Sequence, residues 1–120
     1  QSLHAWFSHI PGLRVIMPAN AYDAKGMLIA AVKDNSPVIY LEHRWLHQVK
    51  GFVPEQVYST SLDKAKVIKE GNDITIIGIS YMVLECLQAA NNLNTLGISA
   101  EIIDLRSIKP LDMETILLST

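Results

Sequence analysis

Residues 41–52 read LEHRWLHQVKGF, and the reading of this stretch decides the fold. It sustains neither the helical period nor the strand period. The passage that follows, to residue 63, holds Gly51, Pro54 and several polar residues and is no more regular. A connector of about 20 residues is uncommon inside a compact domain and more natural between two. The stretch is therefore the exit from one α/β unit into a linker, with a second α/β unit beyond it.

Upstream, residues 2–10 place Leu3, Trp6, Phe7 and Ile10 at helical spacing, and Pro11-Gly12 stops that helix. Trp6 and Phe7 are expected to be core or interface anchors. Residues 13–17 form a short apolar strand ended by Pro18. Asn20 is placed to cap a helix over 21–33, with Ala24, Met27, Leu28, Ala31 and Val32 on one face. Residues 34–37 read as a turn and 38–41 as a second strand. Strand, helix, strand is a βαβ unit, whose parallel strands require a right-handed crossover.

Downstream, residues 65–69 alternate, 70–73 are a turn, and 74–79 are a strongly apolar strand. A helix over 81–96 carries Val83, Leu84, Leu87, Ala90 and Leu93, and Gly97 sits where a helix-ending glycine belongs. Residues 99–105 are another strand, and Asp112 is placed to cap a helix from Met113 onward. The fold class is α/β, in two partial domains.

Composition narrows the function. A net charge of −2 gives no basic face of the kind nucleic-acid binders use. The single cysteine, Cys86, excludes an internal disulfide and fits a reducing compartment. No apolar run approaches a membrane span, and no signal or transit peptide is visible. A cytoplasmic location, without nucleic-acid or membrane partners, is the expectation. The chain opens on Gln1 and closes within an apparent helix. It is expected to be a piece of a longer protein, and cut edges and apolar helix faces are expected to drive self-association.

Candidate chemistry is sparse. His43 and His47 share the i, i+4 spacing of zinc sites, but Arg44 stands where the zinc-protease pattern needs Glu, and no third ligand is nearby. They read as part of a polar connector. His4 and His9, five apart, read as solvent or interface histidines. Cys86 reads as a structural thiol. Asp104 and Arg106 follow a strand end, where ligands gather in parallel sheets. The two could pair or meet a partner, but a local hydrogen-bonded turn is the favoured reading. Glycine-rich phosphate loops and the nucleophile-elbow pattern are absent.

One resemblance covers essentially the whole chain. The run QSLHAWFSHIPGLRVIMPANAYDAKGMLIAAVKDNSPVIYLEH (1–43), with GNDITIIG (71–78) and AEIIDLRSIKPLDMETI (100–116), closely resembles the β subunits of thiamine-diphosphate-dependent 2-oxoacid dehydrogenases. These are the E1 components of pyruvate, branched-chain and acetoin dehydrogenase complexes, within the transketolase-like superfamily. The resemblance implies the end of a pyrimidine-binding domain over 1–44, an interdomain linker over 45–63, and the first half of a transketolase C-terminal domain over 64–120. It implies thiamine diphosphate and Mg2+ in the parent enzyme, and as partners an E1 α subunit, a second β subunit and a lipoyl-bearing E2 acyltransferase.

The resemblance also says what is missing. Gln1-Ser2 matches the last two residues of the family's His-Ser-Gln-Ser motif, which puts that histidine, and the cofactor-activating glutamate, upstream of Gln1. The diphosphate and its metal belong to the other subunit. No catalytic or cofactor-binding residue is therefore assigned here, and the 120-residue chain alone is expected to be inactive. One family site is carried over: a monovalent cation, typically potassium, held by the backbone carbonyls of Ala31, Asp34 and Ser36. Other family members often have Asn where Ser36 stands, a change that a backbone ligand tolerates. The rival readings are a split transketolase or deoxyxylulose-phosphate-synthase-like enzyme, and a non-catalytic assembly module of the same fold.

Overall fold

The computed structural model describes residues 3–119. Gln1 and Ser2, the expected motif tail and helix start, lie outside the described residues. The elements run α1 (His4–Ser8), β1 (Arg14–Ile16), α2 (Ala21–Lys33), β2 (Val38–Tyr40), a 3-10 turn (Arg44–Gln48), β3 (Lys66–Lys69), β4 (Ile74–Gly78), α3 (Met82–Thr95), β5 (Ala100–Asp104), β6 (Ser107–Lys109) and α4 (Met113–Leu118). The chain is α/β, as its sequence pattern requires.

Among the described residues two three-stranded sheets form, ordered β2-β1-β6 and β3-β5-β4. Each has one parallel pair joined by a helix: β1 with β2 across α2, and β4 with β5 across α3. Each also has one antiparallel member, β6 on β1 and β3 on β5. Strand β6 was not anticipated. It follows β5 after only Leu105 and Arg106, yet belongs to the other sheet, opposite Val15 and Ile16. The chain thus crosses between sheets within two residues.

The helix ends are set by local chemistry. The Asn20 side chain accepts the Asp23 N–H and caps α2. Past α3, the Gly97 N–H bonds the Asn94 carbonyl and the Ile98 N–H bonds the Leu93 carbonyl, with Gly97 at φ +78°. That paired closure is the Schellman arrangement, which suits glycine. Asp112 caps α4 by accepting the Thr115 N–H, and it also accepts the Ala65 N–H from the start of the second unit.

Two cores follow the two sheets. Ile16, Met27 and Leu62 make one, with Ala30, Val38 and Tyr40 packed around them. Cys86, Ala90, Ala100 and Ile102 make the other. The buried face of α2 differs from the expected stripe. Leu28 and Val32 are exposed, whereas Asp23, Gly26 and Met27 are buried. Apolar residues surround most of α2, so periodicity alone could not choose its inner face. Partners distant in sequence chose it. The first helix is shorter than its spacing suggested, and Trp6 is 69% exposed, so it is no core anchor in this chain.

Candidate functional site

The chemistry-bearing residues gather where the two sheets meet, around the first half of α2. The run Tyr22-Asp23-Ala24-Lys25-Gly26 supplies the helix side of these contacts. The Tyr22 ring stacks on Tyr58 at 4.5 Å between centroids, and the Tyr58 hydroxyl donates to the Tyr22 carbonyl at 2.7 Å. The Lys25 ammonium donates to the successive carbonyls of Pro54, Glu55 and Gln56 and lies over the Tyr58 ring. The Thr60 N–H bonds the Gly26 carbonyl at 3.0 Å. A side chain at Gly26 would meet Thr60 Oγ1 at 2.2 Å, so only glycine admits the linker this close. These contacts strap residues 54–60 across the helix.

Asp23 does the remaining work. Its carboxylate receives the Arg106 guanidinium in a forked pair, Nη2 to Oδ1 at 2.8 Å and Nε to Oδ2 at 3.1 Å. The Asn20 amide donates to Oδ2 at 2.9 Å. Asp23 is 1% exposed and Arg106 8%. A planar fork with both carboxylate oxygens hydrogen-bonded is the geometry in which a buried ion pair is tolerated.

Asp104 completes the cluster. Its Oδ1 accepts the Arg106 N–H at 3.0 Å, which is the local turn expected at this strand end. The turn carries Arg106 into the left-handed region, at φ +59°, and aims its side chain at α2. The guanidinium meets Asp23, 83 residues away, which the sequence did not disclose. Asp104 Oδ2 is buried and has no hydrogen-bond partner among the described residues. Burial, and the neighbouring Asp23 charge, push the Asp104 carboxyl up to about 6, against the opposing backbone bond and Arg106 charge.

The histidines make no metal centre. His43 Nδ1 accepts the Trp45 N–H, which starts the 3-10 turn, and its ring stacks on Tyr81 at 4.9 Å. His47 Nε2 lies 3.5 Å from the Glu42 carboxylate, with both groups more than half exposed. A cavity of about 190 Å3 opens between this turn and the start of α2, lined by Pro18, Asn20, Glu42, His43 and His47 among others. That is smaller than the pockets that hold cofactors, which run to ~300 Å3 and above. Among the described residues no group of three His, Cys, Asp or Glu is placed to hold a metal ion. His4 is half-buried and His9 exposed. Cys86 is buried beside Gly78, and burial pushes its thiol up, as befits a structural cysteine.

The residues carried over as a cation site occupy one turn at the end of α2. The Ala31 carbonyl already accepts the Asp34 N–H at 3.3 Å. The Asp34 carboxylate accepts the Ser36 N–H at 2.7 Å and pairs with Arg14 at 3.0 Å. Those two contacts, the Ser36 bond foremost, hold its carboxyl below the usual range. What the turn offers a cation is therefore main-chain oxygen, a donor set that suits a weakly hydrated monovalent ion.

The comparisons with known proteins agree with one another. Residues 1–49 match the transketolase pyrimidine-binding domain and residues 63–120 match the transketolase C-terminal domain. The chain is 46% identical over 117 residues to the acetoin:2,6-dichlorophenolindophenol oxidoreductase subunit beta of Cupriavidus necator, covering 98% of this chain and 35% of that protein. It is 47% identical over 119 residues to the pyruvate dehydrogenase E1 component subunit beta of Bacillus subtilis, covering 98% of this chain and 37% of that one. It thus spans about a third of the length of the curated relatives it matches. A solved structure described as a split gene transketolase, inactive beta4 tetramer, superposes with a TM-score of 0.79 at 27% identity, over 97% of this chain and 38% of that one. A transketolase from Pichia stipitis shares the fold, with a TM-score of 0.67 at 21% identity over 87% of this chain and 15% of that one. Two domain matches in succession, which together take in residues 1–49 and 63–120, show that the chain belongs to the transketolase-like family, and over nearly all of its length it is similar to E1 β subunits.

Proposed function

We propose that this chain is part of the β subunit of a thiamine-diphosphate-dependent 2-oxoacid dehydrogenase E1 component. The single observation that carries this reading is identity of 46–47% sustained over 98% of the chain to subunits of the acetoin and pyruvate enzymes. The split-gene transketolase, at 27%, stands further off. In such an enzyme thiamine diphosphate, when bound, supplies the carbanion chemistry by which a 2-oxoacid loses carbon dioxide and its acyl group passes to a lipoyl arm. Among the described residues no group of three His, Cys, Asp or Glu is placed to hold the Mg2+. No step is assigned to them.

The role of this chain is architectural. Residues 1–44 would close the pyrimidine-binding domain, 45–63 link, and 64–120 begin the C-terminal domain. The strap, which lays the linker along α2, and the Asp23–Arg106 pair, which joins α2 to the exit of β5, support this. A potassium ion on the carbonyls of Ala31, Asp34 and Ser36 would brace the end of the same helix. The partners would be an E1 α subunit, a second β subunit and a lipoyl-bearing E2 acyltransferase, in the cytoplasm. The test is co-expression of the intact protein with its α subunit. Co-elution as one assembly supports the reading. An intact β protein that ignores α and E2, yet transfers two-carbon units between sugar phosphates, would replace it with the transketolase reading.

A further inference from the structure

The crossing between the sheets contains an unbalanced charge cluster that the proposed function does not use. One guanidinium, Arg106, faces two buried carboxyl groups, and only Asp23 receives its fork. Asp104 receives a main-chain N–H on one oxygen and, among the described residues, nothing on the other. Main-chain bonds tie the crossing to both sheets. The Leu105 N–H reaches the Gly78 carbonyl in the second sheet at 3.0 Å, and the Met17 N–H reaches the Arg106 carbonyl from the first at 2.8 Å. Asp104 is thus the last residue of β5, and only two residues separate it from the strand that enters the other sheet.

We propose that Asp104 is a proton-dependent pin of the inter-sheet crossing: with a proton on Asp104 the cluster is neutral and the sheets are held firmly, and without it a surplus buried negative charge loosens them. The groups that face it support this sign. Asp23 on α2 adds a second negative charge, Arg106 adds one positive charge already engaged by Asp23, and Lys66 on β3 adds a weaker positive one. The remaining ionisable groups on the packed elements are otherwise occupied. Lys69 on β3 donates to the Ala100 carbonyl, Glu85 on α3 takes the Tyr81 hydroxyl, and Cys86 on α3 sits against Gly78. Strand β4 contributes no charge, since its register partner for Asp104 is Gly78.

The sign of the linkage is that of a raised acid. The Asp104 carboxyl moves from 3.8 to about 6 on folding. Its stabilising effect is present in full below the unfolded value and is lost as pH rises through the folded one. If opening the crossing returns Asp104 to water, its opening constant should rise about tenfold between pH 5 and pH 7.5.

The experiment is amide hydrogen exchange on the intact protein at both pH values, corrected for intrinsic rates, with Met17, Leu105 and Ser107 as reporters. About tenfold more protection at pH 5 is expected, together with loss of that difference in Asp104→Asn. Equal corrected protection in the wild type, or a difference that persists in Asp104→Asn, overturns the proposal. Should the variant not fold, the side-chain carbon resonance of Asp104 in the wild type decides. A midpoint near 6 upholds the pin, and one near 4 overturns it.

Discussion

Replacing Asp23 by Asn removes the negative charge that Arg106 was placed to meet while leaving the shape of the site almost unchanged. The pair is buried on both sides, at 1% and 10% side-chain exposure, so solvent screening does little to discount it. Removing one partner of a buried pair typically costs ~3–5 kcal/mol, because the other charge is left uncompensated. Asp104 remains beside Arg106 and can take up part of the interaction, so the lower end, ~3 kcal/mol, is the expected loss. The assay is urea unfolding of the intact protein, read from the shift in midpoint at constant slope. Two further results should follow. In Asp23→Asn the Asp104 carboxyl should titrate lower, since a neighbouring negative charge is gone and a cation is freed. In the double variant Asp23→Asn/Arg106→Met the loss should be at least ~1 kcal/mol smaller than the sum of the single losses. A loss below ~1 kcal/mol in Asp23→Asn, as for a surface pair, would refute the reasoning.

Five other outcomes follow from the structure. Lys25→Met removes the ammonium that gathers three linker carbonyls, so residues 54–58 should become markedly more sensitive to limited proteolysis, with the fold retained by circular dichroism. Gly71→Ala should destabilise by ~1–3 kcal/mol or more, because the added methyl would meet the Ala100 carbonyl carbon at 2.2 Å and backbone cannot easily retreat. Asp112→Ala should cost ~1–2 kcal/mol through loss of the α4 cap, measured by urea unfolding. Acid should weaken the fold below about pH 4 through Asp34 and Asp112, whose lowered values mean that their contribution is present above the unfolded value and is lost as pH falls through the folded one. Exchange of potassium for choline at constant ionic strength should lower the melting temperature if the turn at Ala31, Asp34 and Ser36 holds a cation, and an unchanged melting temperature would remove that site.

The elements that depend on local chemistry were legible in the sequence. Asn20, Gly97 and Asp112 stand at the helix ends where capping places them, and the apolar runs became strands. The family, too, was legible, since YDAKGML and DLRSIKPLD carry it. What was not legible depends on partners far away in the chain. Ser107-Ile108-Lys109 is too short and too polar to announce a strand, and its partner lies 92 residues earlier at Val15. The inner face of α2 was misjudged because Asp23 and Gly26 look unfit for burial until Arg106 and Thr60 are seen against them. Asp104 and Arg106 showed their local turn in the sequence, but not the long-range half of the contact. Nor does an aperiodic run such as RWLHQ distinguish an open linker from a 3-10 turn whose capping residue, His43, stacks on Tyr81.

The central claim is tested most directly by dye reduction with the intact protein and its α subunit, given thiamine diphosphate, magnesium and a panel of 2-oxoacids and acetoin. The account predicts reduction of dichlorophenolindophenol that requires one substrate of that panel, both subunits and the cofactor. Reduction by none of them, with ketol transfer between sugar phosphates in its place, would contradict it.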